Sequence, residues 1–160
     1  MKLKKLHYTV DDGIAVVQLD YPKNLNAIDE EMADELLYVV QAAEADESVK
    51  VVVFKGSPRA FSAGGDIGYF YQLIKAGGDV NMDGLIGKVG KVTDGLKKMS
   101  KMVIASVSGA AAGAGASLAL TADFIICSEN AKFIMAFVNL GLVPDTGGSY
   151  LLVKQLGRNG

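Results

Sequence analysis

Residues 6–10 and 14–19 are two β-branched runs separated by the turn residues Asp11-Asp12-Gly13, so the pattern predicts a β-hairpin. A loop containing Pro22 and Asn26 follows. Asp29, Glu30 and Glu31 then place negative charge where a helix N-terminus favours it. Met32, Leu36, Leu37 and Val40 follow at helical spacing, predicting a helix that ends near Asp46. Residues 49–54 form a continuous apolar run, the mark of a strand buried on both faces, and Gly56-Ser57-Pro58 stops it.

The second half repeats this alternation. RAFSAGGDI (59–67) leads into a helical stretch reaching about Lys75, and a Gly/Asp/Asn-rich loop over 77–84 is expected to be the most mobile region. A helix over about 85–101 leads to a strand at 103–107, a Gly/Ala segment, and a short helix ending before Asp123. Residues 124–127 read as another buried strand, with Cys127 a buried thiol, and 132–135 as a further strand. A loop over 139–148 with Pro144 then leads to a last helix from about Ser149. Strand, glycine-rich loop and helix recur after Phe54, after Val107 and before Ser149, which suggests a spiral. The units share no sequence identity, so what repeats is architecture.

The 160 residues, half of them hydrophobic, fit one globular α/β domain with a formal charge of −2. A single cysteine excludes an intrachain disulfide, which makes a cytoplasmic address the default. A single histidine, His7, expected on a strand surface, leaves no His-His metal site and no nearby partner for a Ser-His-Asp triad, and no metal is expected. Basic residues are scattered among acidic ones, without the basic face that nucleic acid requires. The 21 residues 102–122 carry no charge and contain a GxxxG spacing. Their interior, GAAAGAGAS, is too poor in large apolar groups for a membrane span, and a buried strand followed by a tightly packed helix is expected instead.

The chemistry of the chain rests on its glycine-rich turns. Glycines after a strand turn the chain sharply and expose N–H groups that the following helix leaves without partners, so two such loops, 63–66 and 112–115, could hold an oxyanion between them. Other glycine-loop chemistries fit less well. No Gly-Lys-Ser or Gly-Lys-Thr is present for a P-loop, Leu118 stands where a dinucleotide fingerprint needs its third glycine, and no GxSxG is found.

YPKNLNAI (21–28), RAFSAGGDI (59–67), ASVSGAAAGAGASLALTADF (105–124) and KFIMAFVNLGLVPDTGGSYLL (132–152), in this order and spacing, resemble the crotonase or enoyl-CoA hydratase/isomerase family, which acts on acyl thioesters. The resemblance covers nearly the whole chain and implies a crotonase-like ββα spiral. It implies an oxyanion hole of the Gly65 and Ala114 N–H groups. Ala63, Asp66 and Ile67 would border the coenzyme A channel, with Lys23 and Ala27 nearby, although Asp before a helix is equally an ordinary N-cap. Coenzyme A would enter only as part of the substrate, with an acyl-carrier-protein thioester as the other option and no separate cofactor.

Family hydratases use two glutamates, and the matching positions here are Ser117 and Phe137, which cannot do their proton chemistry. Ser117 is expected to be small packing beside the substrate and Phe137 a wall of the acyl pocket, which Tyr69, Phe70 and Tyr71 could line too, although such a cluster is more often core. Some family isomerases carry an aspartate at the place of Asp145. With Phe137, Leu142 and Val143 around it, burial would raise its pKa toward a useful value, and the implied reaction is movement of a double bond. Pro-Asp-Thr-Gly is also a good turn sequence, which leaves a purely structural role open. Hydration with an atypical base and acyl-CoA binding without turnover are the competing readings. Family members carry further C-terminal helices beyond the point reached by QLGRNG (155–160), so a trimer-based homo-oligomer is expected where that region is present.

Overall fold

The computed structural model describes residues 1–77 and 82–157. Its elements follow the predicted alternation. The hairpin is β1 (Leu6–Asp11) and β2 (Ile14–Leu19), followed by α1 (Glu30–Ala45), β3 (Val51–Lys55), β4 (Ala60–Ser62), α2 (Ile67–Lys75) and α3 (Met82–Lys98). Then come β5 (Met102–Val107), β6 (Ala110–Ala112), α4 (Ala114–Leu120), β7 (Phe124–Cys127), β8 (Lys132–Ile134) and α5 (Gly148–Leu156). Half of the loop expected over 77–84, residues 78–81, lies outside the described residues, and α3 already begins at Met82.

Two sheets result, a five-stranded one in the order β1-β2-β3-β5-β7 and a three-stranded one in the order β4-β6-β8. Among the described residues only the hairpin is antiparallel, and every other strand pairing is parallel. Each turn of the spiral lays one strand in the large sheet and the next in the small one, then adds a helix. Strands at the same place in successive turns therefore pair with one another, as β3, β5 and β7 do, and as β4, β6 and β8 do.

Helix α1 starts where the acidic cluster predicts. The Asp29 side chain accepts from Met32 N–H at 2.9 Å, and Asp29 also pairs with buried Lys5. Met32, Leu36, Val39 and Val40 are buried with Val17, Val52, Phe54, Val92 and Val103 in one core between the large sheet and helices α1 and α3. Glu35 is buried on the same helix, yet satisfied, because its carboxylate accepts from the Lys4 and Lys5 backbone N–H groups at 2.8 and 3.0 Å.

Three burial expectations are corrected. Strand β3 is covered fully on one face only: Val52 and Phe54 are buried, while Val51 and Val53 are half-buried. Strand β7 is the edge of the large sheet and pairs with β5 alone. Phe124 and Ile126 are 57% and 61% exposed, and Cys127 is an exposed thiol. Three-residue β4 and β6 were legible only as glycine- and alanine-rich connections. They are strands because parallel neighbours satisfy their backbones, a tertiary effect that outweighs weak local preference.

Candidate functional site

Parallel pairing of β4 with β6 sends the chain out of both strands at the same end, so the loops that follow lie side by side. Ligands of parallel sheets bind at that end. The first loop approaches the second very closely. A Cβ built on Gly64, whose φ is +87°, would stand 2.6 Å from the Ala112 carbonyl oxygen and 3.3 Å from the Ala114 nitrogen, so only glycine fits there.

The same loops fix the direction of two amides. Around the parallel bridge between Ile28 and Gly65, Ile28 N–H donates to the Gly64 carbonyl at 2.6 Å and Asp66 N–H donates to the Ile28 carbonyl at 3.0 Å. This pattern uses the peptide groups on either side of Gly65 and leaves Gly65 N–H facing away from the bridge. Ala114 opens α4, so its N–H lies in the first turn, where no intrahelical acceptor exists. Neither amide has an acceptor among the described residues, and both residues line one cavity of about 320 Å³.

That cavity is apolar. Ala63, Ile67 and Phe70 line it from the first loop and α2, Leu85, Ile86 and Val89 from α3, and Phe137 and Leu142 from the segment after β8. Asp145 is its single ionisable lining residue and Thr146 its single hydroxyl among the described residues. Half-buried in these surroundings, the Asp145 carboxyl is pushed above its ordinary value by burial. The turn expected at Pro-Asp-Thr-Gly is present too: Gly148 N–H donates to the Asp145 carbonyl at 2.8 Å, and Asp145 lines the cavity.

Not every predicted residue reaches this cavity. Asp66 caps α2, accepting from Tyr69 N–H at 2.9 Å, and its other oxygen accepts from Asn24 Nδ2 at 2.7 Å. Ala27 is buried and Lys23 is exposed, on a loop tied to the 63–66 turn through the Ala63 N–H to Leu25 carbonyl bond of 3.0 Å. Ser117 is fully buried behind the cavity wall, packed against Gly148, with its hydroxyl 3.5 Å from the Asp145 carbonyl. Of the aromatic trio, Phe70 lines the cavity, Tyr69 is half-buried and Tyr71 is 57% exposed, so Tyr71 is neither core nor wall. Val143 is 78% exposed and leaves the surroundings of Asp145 to Phe137 and Leu142. Sequence reasoning missed the contribution of α3. The spacing of Leu85, Val89, Val92 and Leu96 marks one apolar stripe, and Leu85 and Val89 of that stripe line the cavity.

A family profile described as enoyl-CoA hydratase/isomerase matches residues 9–160. The chain belongs to this family. The trans-2-decenoyl-[acyl-carrier-protein] isomerase of Streptococcus mutans is 35% identical over 157 residues, 98% of this chain and 60% of that protein. The 1,2-epoxyphenylacetyl-CoA isomerase of Escherichia coli is 36% identical over 159 residues, 93% of this chain and 57% of that protein. Among solved structures, an enoyl-CoA hydratase from Mycobacterium avium subsp. paratuberculosis superposes with a TM-score of 0.85 at 31% identity, covering 99% of this chain and 58% of that one. The chain thus spans about 60% of the length of such relatives and has the crotonase fold over that span. Among the described residues, no helix is long and apolar enough to cross a membrane.

Proposed function

We propose that the protein moves a carbon–carbon double bond within an acyl thioester. The ionised Asp145 carboxylate takes a proton from the carbon next to the thioester carbonyl of a 3-enoyl substrate. Electrons shift onto the carbonyl oxygen to give a dienolate, and the resulting carboxylic acid returns the proton two carbons further along, leaving the conjugated 2-enoyl thioester. The Gly65 and Ala114 N–H groups would donate to the enolate oxygen. Donors already fixed in a water-poor site stabilise developing charge without reorganising, and losing one such donor costs about 10²–10³-fold in rate.

The observation that carries this reading is two acceptor-free amides and one carboxylate sharing an apolar cavity. Hydration needs separate groups to activate water and to protonate carbon, and no second ionisable side chain among the described residues lines the cavity. Coenzyme A or an acyl carrier protein arm would approach past Ala63, Asp66 and Ile67, with Lys23 and Ala27 on the adjoining loop.

The test is conversion of 3-decenoyl-CoA to the conjugated 2-enoyl product, followed by the absorbance of the conjugated thioester. Asp145→Asn should lower the rate by about 10²–10⁴-fold while leaving decanoyl-CoA binding in place. Full activity in that variant would remove Asp145 from the mechanism. Binding without turnover in the unaltered protein would make it an acyl-CoA binder, and addition of water to 2-decenoyl-CoA would make it a hydratase.

A further inference from the structure

Thr146 combines two features that rarely coincide. Its φ is +51°, in the left-handed region that a β-branched side chain seldom enters. Its hydroxyl is the one buried side-chain polar atom without a hydrogen-bond partner among the described residues, on a residue only 8% exposed. Neither feature helps the fold, and both belong to a residue that lines the same cavity as Asp145 and follows it directly in the chain. Threonine Oγ can donate one hydrogen bond, and a carboxylate can accept several. An unoccupied catalytic site often holds such pairs just out of alignment, to close when substrate arrives.

We propose that Thr146 is a positioning residue whose hydroxyl donates to one oxygen of the Asp145 carboxylate, leaving the other oxygen aimed at the acyl carbons. This deepens the isomerase reading and rests on it for its purpose. The hydrogen bond itself is testable without turnover. A hydroxyl donating to a carboxylate favours the ionised form, so it offsets part of the upward push that burial exerts on Asp145.

The experiment follows the Asp145 carboxyl directly, by carbon NMR titration of aspartate-labelled protein with decanoyl-CoA bound, using Asp145→Asn to assign the signal. Thr146→Val removes the hydroxyl and keeps the branched shape, whereas Thr146→Gly removes the hydroxyl and relieves the backbone. Both should move the Asp145 midpoint upward by roughly half a pH unit or more, and Thr146→Ser should restore it. The acid limb of kcat/KM for 3-decenoyl-CoA should move by the same amount. Because the glycine variant carries no strain, a failure of the valine variant to fold leaves the question decidable. An unchanged or lowered midpoint in the hydroxyl-free variants would overturn the proposal. A raised midpoint in a protein that does not isomerise would uphold the hydrogen bond and overturn the isomerase reading instead.

Discussion

Asp145 is held where a carboxylate is expensive, and this has a measurable consequence for stability. Its folded pKa lies above the unfolded one, so the folded protein binds the proton more tightly. The contribution to stability is therefore fully present below the unfolded value, about 3.9, and is lost as the pH rises through the raised folded value. At neutral pH the ionised side chain opposes folding. Asp145→Asn should accordingly raise Tm at pH 7 by roughly 1–3 °C, and the gain should vanish toward pH 3. Thermal unfolding across that range checks it; a loss of stability at pH 7 would mean that burial does not dominate the surroundings of this carboxyl. Next to it, a left-handed threonine costs about 1–3 kcal/mol and an unpaired buried hydroxyl a similar amount, and costs of this kind gather at functional sites. The sequence PDTG announced a turn and a candidate carboxylate. It could not announce the left-handed Thr146, because nothing in the residue type favours that backbone.

At the level of elements, the glycines sort by what surrounds them, and a pair of substitutions exposes the difference. Gly115 sits in the first turn of α4, where an added Cβ would stand 2.6 Å from the Ser62 Cβ and 2.7 Å from the Ser62 carbonyl oxygen. Gly115→Ala must push α4 off β4, moving the Ala114 amide; a loss of about 1–3 kcal/mol in stability is expected, together with a fall in the kcat of the proposed isomerisation. Gly87 lies inside α3 with nothing within 4 Å of an added Cβ, so Gly87→Ala should gain about 0.5–1 kcal/mol with kcat unchanged. Urea unfolding of both variants decides, and equal effects would show that close approach of α4 to β4 does not govern the site. This distinction was not legible beforehand. GASLAL and MDGLIGKVG both read as glycine-containing helices, and only contact with Ser62 separates them. Helices α1 and α3 were legible because they are long, and β1 and β2 because β-branched runs flank a turn. The small strands β4 and β6 were not, since three residues carry no period and their pairing comes from other turns of the spiral.

On the scale of the whole molecule, the candidate site gathers residues from segments 63–67, 85–89, 113–114 and 136–146, which no local pattern links. What joins them is the parallel order β4-β6-β8, which delivers three consecutive loops to one end of a sheet. The architecture was readable as a recurring strand, loop and helix, whereas the register that brings Gly65 and Ala114 to one cavity was not. The same spiral leaves an apolar surface at its last turn. Ile125, Phe133, Leu152 and Leu156 border a groove shared by β7, β8 and α5, and Phe124, Ile126 and Val153 stand more than half exposed on those same elements. Exposed apolar surface of this kind drives association in water. The 160-residue chain studied alone should therefore self-associate at micromolar concentration, and Phe133→Lys combined with Leu156→Lys should shift it toward monomer by placing two charges in one groove. Sedimentation or light scattering over a concentration series measures this, with 3-decenoyl-CoA turnover as the control, because neither residue lines the cavity. A chain that is monomeric before substitution would mean that the last turn repacks to cover its own apolar groups.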